Sequence, residues 1–83
     1  MMRVFRVKVE VKLKAVVLDP QGKTVLGALH NLGYLEVQET RIGKLIELTV
    51  KDESEQKVKE RVEEMCKKLL SNPVIEDFVI KIE

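Results

Sequence analysis

Histidine and cysteine carry much of protein side-chain chemistry, and this sequence has too few of them to build a catalytic or metal-binding constellation. One histidine, His30, and one cysteine, Cys66, occur in 83 residues. A lone Cys excludes an internal disulfide, and one His beside it leaves no Cys/His cluster for structural zinc. His30 follows the apolar Leu29 near the end of a helical pattern, where an imidazole interacts favourably with the helix dipole. A catalytic role would need a nucleophile or carboxylate held against it, and nothing nearby in the sequence announces one. Cys66 adjoins Met65 on the apolar side of a second helical pattern, which predicts a buried structural thiol. The stretch Thr40-Arg41-Ile42-Gly43-Lys44-Leu45 shares its Gly-Lys pair with phosphate-binding loops. Such a loop needs a second glycine at fixed spacing, a Ser or Thr after the Lys and a helix beginning there, whereas here Leu45 opens a strand pattern. The expectation is a hairpin turn in which Gly43 supplies a positive φ and Arg41 and Lys44 lie on the solvent side. From there both could donate to carboxylates or carbonyls of a partner.

Alternation and capping signals define the elements around these residues. Phe5, Val7, Val9, Val11 and Leu13 are apolar and Arg6, Lys8, Glu10, Lys12 and Lys14 charged, the period of a strand with one buried face. Asp19 can cap a helix that Pro20 begins, Val25, Leu29 and Leu32 form its apolar stripe, and Gly33 ends it through the left-handed conformation. Leu35 to Ile42 is expected as a second strand and Leu45 to Lys51 as a third, burying Ile46, Leu48 and Val50, the two joined as a hairpin. Asp52 or Ser54 starts a second helix with Val58, Val62, Met65 and Leu69 as its stripe, and Asn72-Pro73 stops it. Phe78, Ile80 and Ile82 mark a fourth strand. The order βαββαβ predicts a single α+β domain over residues 1–83, a ferredoxin-like sandwich with an antiparallel sheet in order 4-1-3-2 and both helices on one face. The open face would carry Arg6, Lys8, Glu10, Lys12, Leu45, Glu47, Thr49 and Val79.

Fifteen Lys and Arg against fourteen Asp and Glu give a net charge of +1, so no long-range field draws phosphate backbones or anionic lipid. Nucleic-acid recognition by this fold needs aromatic residues on the central strands, and the outward positions supply none. Copper chaperones of the same fold need a CxxC pair. A free-standing ligand-binding or regulatory domain stays open as an alternative. The start of the sequence lacks the apolar run of a signal peptide or membrane span, which makes a cytoplasmic location the expectation. Charged residues make up 35% and aromatics 4%, a balance that suggests heat tolerance. A chain this short buries only about 60% of the surface its unfolded form exposes. With disulfide and zinc removed, self-association into a dimer or tetramer is the expected support.

Caps and turns carry the most specific signal. The segments Leu18-Asp19-Pro20-Gln21-Gly22, Ala28-Leu29-His30-Asn31-Leu32-Gly33-Tyr34, Val37-Gln38, Arg41-Ile42-Gly43-Lys44, Glu64-Met65-Cys66 and Leu69-Leu70-Ser71-Asn72-Pro73-Val74-Ile75-Glu76-Asp77 follow one another in an order and spacing that resemble the PurS family. This is the small subunit of phosphoribosylformylglycinamidine synthase in purine biosynthesis. Ser71 stands where the family often has Ala, and Phe78 where it often has Tyr. The resemblance implies an adaptor in an ATP-dependent, glutamine-using carbon–nitrogen ligase, with no catalytic residue, cofactor or metal of its own. It implies as partners a glutaminase (PurQ) that releases ammonia and a synthetase (PurL) that holds ATP and Mg²⁺. Asp19, Gln21, Arg41, Lys44, Asn72 and Glu76 are then the expected partner-facing positions.

Overall fold

A computed structural model describes residues 2–83 of the chain. The element order is β1 (Arg3–Leu13), α1 (Pro20–Asn31), β2 (Gly43–Asp52), α2 (Glu55–Met65), one π-helical turn (Cys66–Leu70) and β3 (Glu76–Ile82). Alternation places Phe5, Val7, Val9 and Val11 of β1 on one face, and all four are buried. β1 is the central strand. It pairs antiparallel with β2 in a register that sets Val7 against Leu48 and Val9 against Ile46. On its other side it pairs antiparallel with β3, with Val9 against Ile80 and Val11 against Phe78. The apolar positions of all three strands thus share a face, and α2 with the π-helical turn after it covers that face with Val58, Val62 and Cys66. Each fully buried side chain of this size stabilises the fold by about 1.5–3 kcal/mol relative to exposure.

The sheet order β2-β1-β3 gives three of the four expected strands in their expected neighbourhoods. The fourth, Leu35 to Ile42, does not form within the chain: those residues are irregular, with a turn at Leu35–Glu36. No hairpin therefore joins it to β2. Gly43 instead opens β2 opposite Lys12, and the positive φ predicted for it is found among the described residues only at Gly33. Alternation over 35–42 is weak, and side-chain contacts described below hold the segment without a strand neighbour.

Two further expectations are corrected. α1 forms as predicted, capped by Asp19 with Pro20 at its first turn and ended at Gly33, where φ is 100°. Its stripe, however, enters no core: Gly22 is the only buried residue of the helix, and Leu32, just beyond it, is 74% exposed. α2 begins on Ser54, whose hydroxyl accepts the Lys57 N–H at 3.2 Å. The helix then widens into the π turn, which shifts the buried stripe from Met65 and Leu69 to Cys66 and Leu70. Leu69 is 82% exposed, Cys66 is fully buried, and Met65 and Leu70 pack against the core's margin. No described helix is long and apolar enough to cross a membrane.

The molecule extends over 54 × 25 × 14 Å with a radius of gyration of 16.5 Å. A compact chain of this length would have about 12 Å. Val16 to Ile42, comprising α1 and its flanks, accounts for the difference. It stands off the core as an arm.

Candidate partner-docking site at the end of the sheet

The arm is joined to the sheet by a clamp built on Asp19. Asp19 sits at the boundary of α1 in an extended conformation, so its carboxylate can turn back over the first helical turn. Oδ1 accepts the Gly22 N–H at 2.9 Å and Oδ2 accepts the Ile42 N–H at 2.8 Å. Both ends of the arm therefore meet on one side chain, which is 4% exposed. The Ile42 and Gly22 donors, with the Arg41 guanidinium beyond them, hold the carboxyl below the ordinary aspartate value. Gly22 makes the approach possible, since a Cβ there would overlap the Thr40 carbonyl oxygen and lie 2.8 Å from Asp19 Oδ2.

Arg41 extends the clamp. Its Nη2 donates to the Lys14 carbonyl at 2.9 Å and the Val17 carbonyl at 3.2 Å, with Leu13 O at 3.4 Å, and its Nε lies 4.0 Å from Asp19 Oδ2. The solvent-side placement expected of Arg41 is thus corrected: its guanidinium gathers the carbonyls of the β1–α1 loop. Lys44, three residues later at the start of β2, is exposed.

A turn on the other side of β1 completes the surface. Asn72 Oδ1 accepts the Val74 N–H at 3.2 Å, and its carbonyl accepts the N–H groups of Ile75 and Glu76. Glu76 returns an oxygen to the Asn72 N–H at 2.6 Å. The Lys14 N–H donates to the Ile75 carbonyl at 2.8 Å, which ties this turn to the end of β1. A groove of about 280 Å³ then runs between Lys12, Asp19, Gln21, Lys44 and Glu76. Of the six positions predicted from the sequence, Asp19, Gln21, Lys44 and Glu76 line one groove. Arg41 closes its floor through Asp19, and Asn72 shapes its rim through Glu76. The chemistry offered is recognition: an ammonium, an amide and a carboxylate on a backbone fixed by caps.

The other candidates lie elsewhere. His30 Nε2 donates to the Val37 carbonyl at 2.8 Å, pinning the return segment to α1. Burial pushes the Cys66 thiol up, with the Glu63 charge adding to it, so the thiol stays protonated and unreactive. No group of three or more His, Cys, Asp or Glu side chains among the described residues is arranged to hold a metal ion. Gly22 and the Ile42 N–H were missed as site elements. A glycine in the first turn of a helix is unfavourable unless the backbone needs close approach, and that was the available signal.

Residues 6–83 match the family model described as PurS: phosphoribosylformylglycinamidine (FGAM) synthase. The chain is 51% identical over 79 residues to the phosphoribosylformylglycinamidine synthase subunit PurS of Methanocaldococcus jannaschii, covering 95% of each chain. The crystal structure of that protein superposes with a TM-score of 0.85. It is 52% identical to the Bacillus subtilis subunit of the same name, covering 95% of this chain and 93% of that one. A chain in the structure of PurLQS from Thermotoga maritima is 33% identical and superposes with a TM-score of 0.91, covering 98% of this chain and 99% of that chain.

Proposed function

The chain belongs to the PurS family of phosphoribosylformylglycinamidine synthase, and from that premise we propose that it is a non-catalytic subunit joining a glutaminase to a synthetase in a three-component ligase. The glutaminase releases ammonia from glutamine. The synthetase, with ATP and Mg²⁺, uses that ammonia to convert formylglycinamide ribonucleotide into formylglycinamidine ribonucleotide during cytoplasmic purine synthesis. One observation carries this reading: the family match spans nearly the whole chain, and a similar chain occurs in the PurLQS structure. The site agrees with it, because the groove beside Asp19 presents polar recognition groups on a rigid base. Catalysis, nucleotide and metal are assigned to the partners.

The ferredoxin-like sandwich in order 4-1-3-2 is proposed for the assembled subunit. β3, β1 and β2 already stand in that order, and residues 35–42 supply the remaining strand once a neighbour is present. Gln21, Lys44 and Glu76 are proposed as partner contacts, with Asp19, Arg41 and Asn72 holding the surface in shape. The test is to mix the chain with the glutaminase and synthetase of the same source, with glutamine and ADP, and follow elution by size. A three-component species is expected. Failure of the chain to enter any such species at micromolar concentrations would contradict the reading.

A further inference from the structure

At the clamp end of the sheet the acids are spoken for and two cations are not. The groove beside Asp19 has a counterpart of about 310 Å³ on the open face, lined by Glu10, Lys12, Lys44, Leu45, Asp77 and Val79. Val11, Lys12, Gly43 and Lys44 line both, so the start of β2 is the ridge between them. Every carboxylate along the two grooves already has a partner. Asp19 accepts the Gly22 and Ile42 N–H groups and Glu76 accepts the Asn72 N–H, while Glu10 pairs with Lys81 at 2.9 Å and Asp77 with Lys14 at 2.6 Å. The Arg41 guanidinium is turned to the Lys14 and Val17 carbonyls. Lys12 and Lys44 are left over: both are exposed, and neither forms an ion pair among the described residues.

Register sets these two lysines on opposite sides of one strand end. Lys12 stands opposite Gly43 and Lys44 opposite the buried Val11, so Lys12 belongs to the open face and Lys44 to the face toward the core and the arm. Gly43 carries no side chain, and a Cβ there would lie 2.5 Å from the Val11 carbonyl oxygen. The ridge is therefore low at Gly43, with an ammonium on either side of it.

Resting on the adaptor reading, we propose that an acidic segment of a larger subunit of the ligase crosses the end of the sheet over Gly43, giving one carboxylate to Lys12 and another to Lys44. Charge complementarity selects this occupant. The acids nearby are held by cations or by N–H donors, so the unmet electrostatic demand of both grooves is for negative charge. Leu45 and Val79 are 54% and 47% exposed on the open face and give an apolar strip to whatever flanks the first carboxylate. A free phosphate fits less well, because it is gripped best by a guanidinium fork or by convergent N–H groups, and here the Arg41 fork and the Ile42 N–H are both spent. Lys51 and Lys59 also lack ion-pair partners among the described residues but line neither groove, which makes them the control.

The experiment assembles the full chain with the glutaminase and synthetase of one source, in glutamine and ADP, and treats the product with a zero-length carbodiimide, which joins a lysine amine to a carboxylate in contact with it. Isopeptide products from Lys12 or Lys44 to Asp or Glu of a larger subunit are expected. Products from these lysines only to other copies of this chain, or none to a larger subunit, would overturn the proposal. In parallel, Lys12→Glu with Lys44→Glu should raise the concentration for half-maximal assembly about tenfold or more at about 50 mM salt, and by less at about 300 mM. Lys51→Glu with Lys59→Glu makes the same change in net charge and should shift it about twofold or less. Equal shifts in the two variants, or none in the first, contradict the proposal and leave the adaptor reading standing. If the first variant melts early, Lys12→Gln with Lys44→Gln replaces it, with a shift of about threefold expected and an unshifted midpoint counting against the proposal. Saturable shifts of the Lys12, Gly43 and Lys44 amide resonances with inorganic phosphate at submillimolar concentration would assign the grooves to a free anion and overturn the docking. A parent chain that enters no three-component species would remove the adaptor reading, and the proposal with it.

Discussion

Asp19 accepts N–H groups from both ends of the arm, and its charge state is therefore linked to folding. Its carboxyl is held below the ordinary value in the folded chain, so the stabilisation is complete above about pH 4 and is lost as the pH falls through the folded value. Asp19→Ala should lower the melting temperature by several degrees at pH 7. The gap between variant and parent should narrow below pH 4, and melts at pH 7, 4.5 and 3 check the sign; a gap that widens on acidification contradicts it. Gly22→Ala should cost about 2 kcal/mol by driving a methyl into Thr40 O. Arg41→Ala should cost about 1–2 kcal/mol because charge-assisted bonds to loop carbonyls are lost, whereas Lys44→Ala should stay within about 0.5 kcal/mol. Urea titrations separate the two. The Asp19 cap was legible in the sequence because its partner lies three residues away. The role of Arg41 was not, since its acceptors lie 24 to 28 residues back and no local pattern encodes that distance.

At the scale of elements, strict alternation made β1 legible, and Asp-Pro and Gly33 bounded α1 correctly because caps act locally. Nothing in the sequence marks the π turn, because Val58, Val62, Met65 and Leu69 fit a regular 3.6-residue period. There the Ser71 N–H and hydroxyl both donate to the Cys66 carbonyl, at 3.0 and 2.9 Å, and turn Cys66 inward. Val62→Ala should then cost about 2 kcal/mol by opening a cavity under the sheet, while Leu69→Ala should stay within about 0.5 kcal/mol. Equal losses would restore the regular stripe. The weak alternation over residues 35–42 suggests a strand, but a strand requires a neighbour, and inside one chain the clamp leaves that segment none.

The whole molecule is an elongated clamp-and-arm with apolar surface exposed along the arm. Family membership was legible from the ordered caps and turns, while the elongated shape was not, because hydrophobic periodicity marks a buried face without telling which molecule buries it. The most direct test of the adaptor reading is steady-state synthesis of formylglycinamidine ribonucleotide by the glutaminase and synthetase, measured with and without this chain. With glutamine as nitrogen donor the rate should rise at least tenfold when the chain is added, and with added ammonia it should change much less. Equal glutamine-dependent rates in its presence and absence would contradict the account.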